Sequence, residues 1–285
     1  MGRPAPAPST ELNFELYFVT EVLGLRSLHY GYWDEPRTSE RIDLEEMKGA
    51  QARFTERLLE HVPPAAKSVL DVGAGIGDNA RALARRGHHV TALSPDRNHE
   101  SYFAALDAPN VTFERTSFEA FESTERFDLV LFSESHRYFD RRFGLRRAHE
   151  LLRAGGHLLV SGMFRYEDEG AFPTGFDVTD LPYLRMAAEC DFRPIGIVDI
   201  TPNVLPTIEM IDRGIVEILE PTLRFAQTWA ETRSPWKTKL FRMLLSREDR
   251  ELTRVLKKLR RKTDPARFRE RFRYATLLLE ALPGA

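Results

Sequence analysis

A run of glycines behind an acid offers the most definite chemistry in the sequence. Gly73, Gly75 and Gly77 recur at every second position. Asp71 precedes them at the end of an apolar segment. A glycine loop between a strand and a helix lets a ligand approach the backbone closely, and a doubly wound sheet places such a loop at its ligand-binding edge. A dinucleotide fingerprint needs glycine at position 78, which is Asp78 here, so the spacing predicts a nucleoside-binding loop of another kind.

The residues around this loop alternate between apolar segments and helical patterns, which is typical of parallel βαβ units. Helical patterns separate most of the apolar segments. We predict strands at residues 68–72, 90–93, 110–113, 127–133, 157–162 and 195–200. The expected fold class is therefore α/β: a Rossmann-like, doubly wound, mostly parallel sheet with an amino-terminal helical lid and a helical cap inserted late in the sheet.

The patterns on either side of that core predict the domain organisation. Residues 1–10 are expected to be a disordered leader, because they are rich in Pro and Ala and lack the apolar core of a secretory signal. Residues 11–62 are predicted to form the lid, residues 63–201 the cofactor-binding core, and residues 202–285 a helical cap with carboxyl-terminal helices that complete the same domain. Two helical patterns are expected in that tail, on Leu252, Val255, Leu256 and Leu259 and then on Phe268, Phe272, Ala275 and Leu279.

Residues 71–77, Asp-Val-Gly-Ala-Gly-Ile-Gly, closely resemble the first motif of the class I S-adenosylmethionine-dependent methyltransferases. The resemblance implies that S-adenosylmethionine is the cofactor and that Asp71 stands near its cationic amino-acid part. An acid is suited to such a ligand, which carries a sulfonium and no pyrophosphate. The alternative interpretation is an ordinary tight turn between a strand and a helix.

The same resemblance implies cofactor contacts after the next strands. Ser94 stands where the family usually has an acid for the ribose hydroxyls, and Asp96 either contributes there or caps the next helix. Phe118 and Glu119 follow the third strand, where the family contacts adenine; the alternative is a polar loop. The implied cofactor-binding residues are Asp71, Gly73, Ala74, Gly75, Gly77, Ser94, Phe118, Glu119, Ser133, Tyr17, Tyr30 and Trp33.

Residues 28–33, Leu-His-Tyr-Gly-Tyr-Trp, resemble a signature of small-molecule methyltransferases that act on tocopherols, alkaloids and polyketides, a branch that is similar to cyclopropane synthases. In that group the segment folds over the bound cofactor, and aromatic faces suit a sulfonium through cation–π attraction. The resemblance implies that Tyr17, Tyr30 and Trp33 face the cofactor and that His29 faces the substrate. The alternative is an aromatic plug of the core.

The fourth predicted strand delivers Glu134 and His136 to the same edge of the sheet as the glycine loop. Methyl transfer is an in-line displacement, and a base is needed only when the acceptor must lose a proton. Glu134, His136 and His29 are the predicted catalytic residues. The alternatives are a surface histidine at a helix start for His136 and a structural partner of the lid for Glu134.

Composition argues against nucleic-acid binding, a cysteine-based framework and a membrane span. A formal net charge of −2 over 285 residues gives no overall field for holding nucleic acid. One cysteine, Cys190, supports neither a disulfide framework nor a multi-cysteine zinc site, so no metal is predicted. No segment is apolar enough to cross a bilayer, and a cytoplasmic location is expected. A basic run in the tail is either a solvated helix face or a dock for an anionic group; its members are Arg254, Lys257, Lys258, Arg260, Arg261 and Lys262.

These observations predict an enzyme that transfers a methyl group from S-adenosylmethionine to a carbon, nitrogen or oxygen of a lipophilic small metabolite, natural-product or lipid-like. The expected partner is that small molecule, with an anionic group as an option, and not a nucleic acid. Two alternatives stay open: a non-catalytic ligand-binding protein on the same fold, and a cyclase assisted by the bound sulfonium. The pattern favours no single acceptor atom and no oligomeric state.

Overall fold

The computed structural model describes residues 13–35, 43–166, 171–233, 257, 260, 261 and 263–283. Among these residues, seven strands form one sheet. They are β1 (Ser68–Val72), β2 (His89–Leu93), β3 (Val111–Glu114), β4 (Phe127–Ser133), β5 (Leu152–Arg165), β6 (Phe192–Asp199) and β7 (Phe272–Ala281). Their order across the sheet is β3-β2-β1-β4-β5-β7-β6.

Helices connect these strands and cover both faces of the sheet. The described helices are α1 (Phe14–Tyr17), α2 (Leu44–Leu59), α3 (Asp78–Arg85), α4 (Glu100–Ala104), α5 (Arg141–Leu151), α6 (Pro182–Ala188), α7 (Thr201–Arg213), α8 (Glu220–Arg233) and α9 (Pro265–Arg271). A π-helical turn, Phe18–Val22, continues α1, and a second one, Gly214–Leu219, joins α7 to α8. Pro221 is the second residue of α8, directly after this π-helical turn.

The strand pairing confirms the predicted fold class. β1 to β5 pair in parallel. β2 and β3 are added on one side of β1, and β4 and β5 are added on its other side. This order creates a switch point at the carboxyl ends of β1 and β4, where ligands bind in open α/β sheets. Among the described strands only β7 is antiparallel to the rest, because it lies between β5 and β6 and runs against both.

Alternating side chains of the central strands enter two cores. On one face Leu70, Val130 and Phe132 pack with residues of α5 and α6. On the other face Val69, Leu129 and Leu131 pack with residues of α2, α3 and α7. Since successive side chains of a strand point to opposite faces, Asp71 and Ser133 lie on the second face, beneath the lid and the cap.

The carboxyl-terminal strand corrects one prediction. The apolar spacing of Phe268, Phe272, Ala275 and Leu279 predicts a helix, but the helix α9 ends at Arg271 and β7 follows. β7 is paired on both sides and largely buried, so apolar residues occupy both of its faces and Leu277, Leu278 and Leu279 follow one another directly, as in other covered strands. A continuous apolar run contains every spacing, including the helical one. The residues that follow the cap therefore complete the sheet instead of adding helices alone.

The lid is bound to both α2 and the cap. Trp33 N donates to Asn203 O at 2.9 Å, and Asn203 Nδ2 donates back to Trp33 O at 2.8 Å. Tyr32 N donates to Ala50 O at 2.8 Å. These backbone contacts fix the aromatic segment, residues 28–33, between α2 and the first turn of α7.

Some predictions lie outside the described residues: the leader at residues 1–10 and the helical pattern on Leu252, Val255, Leu256 and Leu259. Of the basic run, only Lys257, Arg260 and Arg261 are described, and all three are exposed. None of the described helices is both long and apolar enough to span a membrane.

The burial of Leu277 distinguishes the observed strand from the predicted helix. It is fully buried in β7, whereas a helix with the predicted apolar face would expose it. We expect Leu277→Ala to lower the free energy of unfolding by about 2–5 kcal/mol because it leaves a cavity in a packed core. Urea unfolding of the variant measures this, with Leu282→Ala as the control, since Leu282 is 37% exposed. Equal small losses in both variants would contradict the strand.

Candidate functional site

The glycine loop has a backbone that only glycine adopts easily. Gly73, Gly75 and Gly77 have φ values of 74°, 56° and 83°. A Cβ atom on Gly73 would lie 2.6 Å from the Cβ of Ser135. The backbone N–H groups of Gly73 and its neighbour Ala74 both donate to Leu93 O at 2.9 Å. The loop is therefore held against the ends of β2 and β4, and the close contact at Gly73 leaves no room there for a side chain.

Asp71 lies at the carboxyl end of β1 with no exposed surface. Neither carboxyl oxygen has a hydrogen-bond partner among the described residues. Burial, followed by the charge of Asp78, raises the pKa of Asp71 to about 8. A buried carboxyl without donors is costly, and it is suited to receive a cationic group that brings its own donors. The ammonium of the amino-acid part of S-adenosylmethionine is such a group, so this residue fits the predicted cofactor.

The end of β2 carries a small polar cluster in place of a single acid. The buried Ser94 Oγ lies 2.8 Å from His99 Nδ1. Asp96 accepts from Asn98 N at 2.9 Å, which caps the following helical turn, and from Asn13 Nδ2 of the lid at 2.7 Å. Burial raises the pKa of Asp96, but the hydrogen bonds from Asn13 and Asn98 outweigh it and lower the pKa. Asp96 is thus an ionised cap that also binds the lid.

The two residues after β3 lie apart from each other. Phe118 is buried and packs edge-on against Phe132, with ring centroids 5.5 Å apart, in the core on the first face of the sheet. Glu119 is exposed. The buried Ser133, at the end of β4, faces Ser161 of β5 in the sheet register. The side chain of Phe118 therefore serves the core, and an adenine contact at this position would fall to its backbone.

His29 links the lid to the helix that follows the glycine loop. Its Nε2 lies 2.7 Å from Asp78 Oδ2 in an ion-pair contact and 3.1 Å from Thr55 Oγ1. Its Nδ1 lies 2.7 Å from Tyr30 O, which only accepts hydrogen bonds, so Nδ1 carries a proton. Burial lowers the pKa of His29, but Asp78, the Tyr30 carbonyl and Glu134 together outweigh it and raise the pKa. The raised pKa favours the imidazolium form of His29, and the residue links the lid to Asp78 instead of facing the substrate as a free base.

The remaining aromatic residues of the lid divide into three environments. Tyr30 is half-buried, and its ring meets the edge of Tyr274 with centroids 5.6 Å apart. Tyr17 is 58% exposed on the lid surface. Trp33 is buried against Met47 and Met210, and its Nε1 donates to Thr207 Oγ1 at 3.1 Å. The alternative interpretation, an aromatic plug, thus describes Trp33, while Tyr30 faces the end of β4.

Glu134 follows β4 in a conformation that is unusual for a side-chain-bearing residue. Its φ is 61°, in the left-handed region, and its N–H donates to Ser161 O at 2.8 Å. The hydroxyl of Tyr274 donates to Glu134 Oε1. The other oxygen, Oε2, is buried with no partner in the described part of the chain. Strained backbone of this kind is concentrated at functional sites.

His136 lies on the other face of the sheet from Glu134. It is 2% exposed and stacks on Phe164 at 4.6 Å, with Tyr183 edge-on at 5.7 Å. Burial, helped by Arg141 and Arg137, lowers the pKa of His136 to about 3. The structure separates the two predicted catalytic residues, so His136 is a neutral histidine of the core and not the surface histidine that was the alternative.

Two residues of this site escaped the sequence analysis. Asp78 entered it only as the residue that excludes a dinucleotide loop, although an acid beside a lid histidine is a signal for an ion pair. Tyr274 was hidden by the helical spacing of the tail. Its buried hydroxyl reaches Glu134 across 140 positions of sequence, which no local pattern reports.

The ion pair between His29 and Asp78 makes a pH-dependent contribution to stability. The folded pKa of His29 is raised, so its contribution is complete below the unfolded pKa of about 6.5 and is lost as the pH rises through the folded pKa. Despite the effect of burial, His29 and Ser27 lower the pKa of Asp78, so its contribution is lost as the pH falls through that lowered pKa. We expect His29→Gln to cost roughly 3 kcal/mol near pH 6 and clearly less near pH 9.

Urea unfolding of wild type and His29→Gln at both pH values measures this difference. The comparison removes the effect of Asp71, which titrates in both proteins. His89→Gln is the control, because His89 is exposed at the opposite end of β2. A cost for His29→Gln that is the same at pH 6 and pH 9 would rule out the imidazolium.

Comparison with known proteins agrees with this geometry. The model of a family described as "Methyltransferase domain" matches residues 69–156. The methyltransferase GfsG of Streptomyces halstedii is 30% identical over 144 residues, which are 47% of this chain and 50% of that protein. The chain spans half to about two thirds of the length of the curated relatives that it matches.

Solved structures with the same fold cover nearly the whole chain. The cyclase SpnF has a TM-score of 0.64 at 16% identity, over 99% of this chain and 100% of that one. Geranyl diphosphate C-methyltransferase from Streptomyces coelicolor has a TM-score of 0.62 at 16% identity, over 97% and 100%. The predicted family and its cofactor, S-adenosylmethionine, are confirmed. Residues 69–156 of the chain match the methyltransferase domain, as the resemblance of residues 71–77 to the class I S-adenosylmethionine-dependent methyltransferases predicts.

Proposed function

We propose that the protein transfers a methyl group from S-adenosylmethionine to a small-molecule acceptor. The observation that carries this proposal is the carboxyl of Asp71, which is fully buried beside the glycine loop with no donor among the described residues. An ordinary tight turn, the alternative interpretation of the loop, does not need a buried acid without a partner. The cost of that acid is recovered when a cation binds.

The chain's own residues suggest how the cofactor is held. Asp71 receives the ammonium, and the backbone of residues 73–77 lies against the amino-acid part. Ser94 and Asp96 border the ribose, and Tyr30 covers the ligand from the lid. When bound, S-adenosylmethionine supplies a methyl group on a sulfonium, and transfer leaves the electron pair of the broken bond on sulfur.

Of the three predicted catalytic residues, Glu134 has the environment of a base. His29 is engaged with Asp78, and His136 packs among aromatic rings on the other face. Glu134 has one buried oxygen without a partner. Burial raises the pKa of Glu134 against the opposing effects of Tyr274, Arg137 and His29. We assign to Glu134 Oε2 the role of accepting the proton that the methyl acceptor loses.

We further propose a lipophilic acceptor. Apolar side chains that are more than a third exposed line the cap, among them Ile211, Ile218 and Phe225. Arg260 of the basic run lies 3.6 Å from Glu220, which favours the solvated-face interpretation of that run over a dock for an anionic group. The residues support no choice between a carbon, nitrogen or oxygen acceptor.

Labelled S-adenosylmethionine distinguishes this function from its alternatives. The protein is incubated with methyl-labelled cofactor and a small-molecule extract, and the products are analysed by mass spectrometry. Methyl transfer predicts a labelled product that is absent without protein. A rearranged, unlabelled product would identify a cyclase, an alternative supported by the likeness to SpnF. Tight cofactor binding without any product would indicate a non-catalytic protein.

Asp71→Asn tests how the cofactor is held. The variant keeps the size of the side chain and removes its charge, so the charge-assisted contact with the ammonium is lost. We expect the affinity for S-adenosylhomocysteine, measured by calorimetry, to fall roughly 10- to 100-fold. Asp107→Asn is the matched control, since Asp107 is exposed after α4. Unchanged affinity in Asp71→Asn would show that the Asp71 carboxyl does not hold the cofactor, which contradicts the proposal.

A further inference from the structure

Tyr274 brings a hydroxyl from the carboxyl-terminal strand into the candidate site. Its side chain has no exposed surface. Its backbone N–H donates to Thr201 Oγ1 and its carbonyl accepts from Ile200 N, both at 2.8 Å. These bonds at the junction of β6 and α7 fix where the ring starts. A buried tyrosine hydroxyl needs a hydrogen-bond partner, and here the partner is Glu134.

Aromatic rings of the lid side hold the tyrosine ring in this direction. Tyr274 meets Phe54 of α2 with centroids 5.9 Å apart and Tyr30 with centroids 5.6 Å apart, both nearly perpendicular. Phe54 also stacks on His29 at 4.5 Å. The hydroxyl group of Tyr274 therefore lies at the meeting point of the lid, β4 and β7.

Glu134 is left with one oxygen engaged and one available. Oε1 accepts from the Tyr274 hydroxyl, while Oε2 is buried and has no partner within the described chain. The left-handed backbone at Glu134, with φ of 61°, costs of order 1–3 kcal/mol. Such strain persists only where neighbouring contacts enforce it.

The titratable and charged groups that face Glu134 come from each element packed against it. Arg137 follows β4, His29 belongs to the lid, and Tyr274 belongs to β7. Burial raises the pKa of Glu134, and these three groups lower it. The pKa of Tyr274 is itself raised, by burial and then by Glu134, so the tyrosine keeps its proton and remains a donor.

We propose that Tyr274 is a positioning residue for the methyl-transfer reaction: by engaging Oε1 of Glu134, it directs Oε2 toward an acceptor that carries a removable proton. This inference rests on the proposed function. When the new bond to the methyl carbon forms, the acceptor atom gives up its proton to Oε2, and Glu134 becomes neutral. The substrate class is thus a small molecule whose accepting atom bears hydrogen, such as a hydroxyl, an amine or an acidic carbon.

Tyr274→Phe removes the hydroxyl and keeps the ring that packs on Phe54. Tyr183→Phe is the matched control, because Tyr183 is equally buried but lies beside His136 on the other face of the sheet. Infrared difference spectroscopy follows protonation of the Glu134 carboxyl, whose band is identified by its absence in Glu134→Gln. Loss of the hydrogen bond should raise the measured pKa of Glu134 by about one unit in Tyr274→Phe and leave it unchanged in Tyr183→Phe.

A second variant provides the same test if Tyr274→Phe does not fold. Incorporation of 3-fluorotyrosine at position 274 makes the hydroxyl a stronger donor at nearly the same size. The expected shift is then a lower pKa for Glu134, opposite to that of Tyr274→Phe. A Glu134 pKa that is the same in wild type and in the folded variants would overturn the positioning role.

Activity provides the readout that separates this inference from the proposed function. With an acceptor found by the labelled-methyl screen, the acidic limb of the kcat/KM profile should move to higher pH in Tyr274→Phe, because the proton-accepting form of Glu134 then needs a higher pH. An unmoved limb contradicts the inference while leaving methyl transfer intact. If wild type transfers no methyl to any acceptor, the proposed function fails, and the infrared result still decides whether Tyr274 controls Glu134.

Discussion

Two carboxyl groups flank the glycine loop, that of Asp71 before it and that of Asp78 after it, and both lie in a region with little solvent. The described residues place one cation, His29, against Asp78 and none against Asp71. Their mutual repulsion contributes to the raised pKa of Asp71. Asp71 therefore keeps its proton near neutral pH, and an arriving cation would displace that proton. The lid, the glycine loop and the carboxyl ends of β1 and β4 surround these two carboxyl groups.

The lid supplies a partner for one of the two carboxyl groups, that of Asp78. His29 reaches Asp78 only because residues 28–33 run between α2 and α7, and Gln51 Nε2 donates to the carbonyls of Ser27 and His29 at 2.9 Å. The same contacts that position the lid therefore place His29 beside Asp78. A mobile lid without the histidine would leave two buried acids around the loop, and neither the apoprotein nor the bound state would hold its geometry well.

The site residues that follow from the sequence are those fixed by local spacing. The glycine loop, Asp71 and Glu134 lie within short segments whose strand or turn character is strong, and they meet because the carboxyl ends of β1 and β4 are neighbours in the sheet. The environment of His136 depends on Phe164 and Tyr183, which come from β5 and α6 and have no marker near His136 in sequence. Tyr274 could not be recognised because a strand covered on both faces shows no period of its own.

The protons released when the cofactor binds test most directly whether the Asp71 carboxyl is the binding site of a cation. With a pKa of about 8, Asp71 is mostly protonated at pH 7, and a bound ammonium should drive that proton off. Calorimetric titration with S-adenosylhomocysteine in two buffers of different ionisation enthalpy counts the protons released. The account predicts that wild type releases close to one more proton than Asp71→Asn at pH 7. Equal proton release in the two proteins would contradict it.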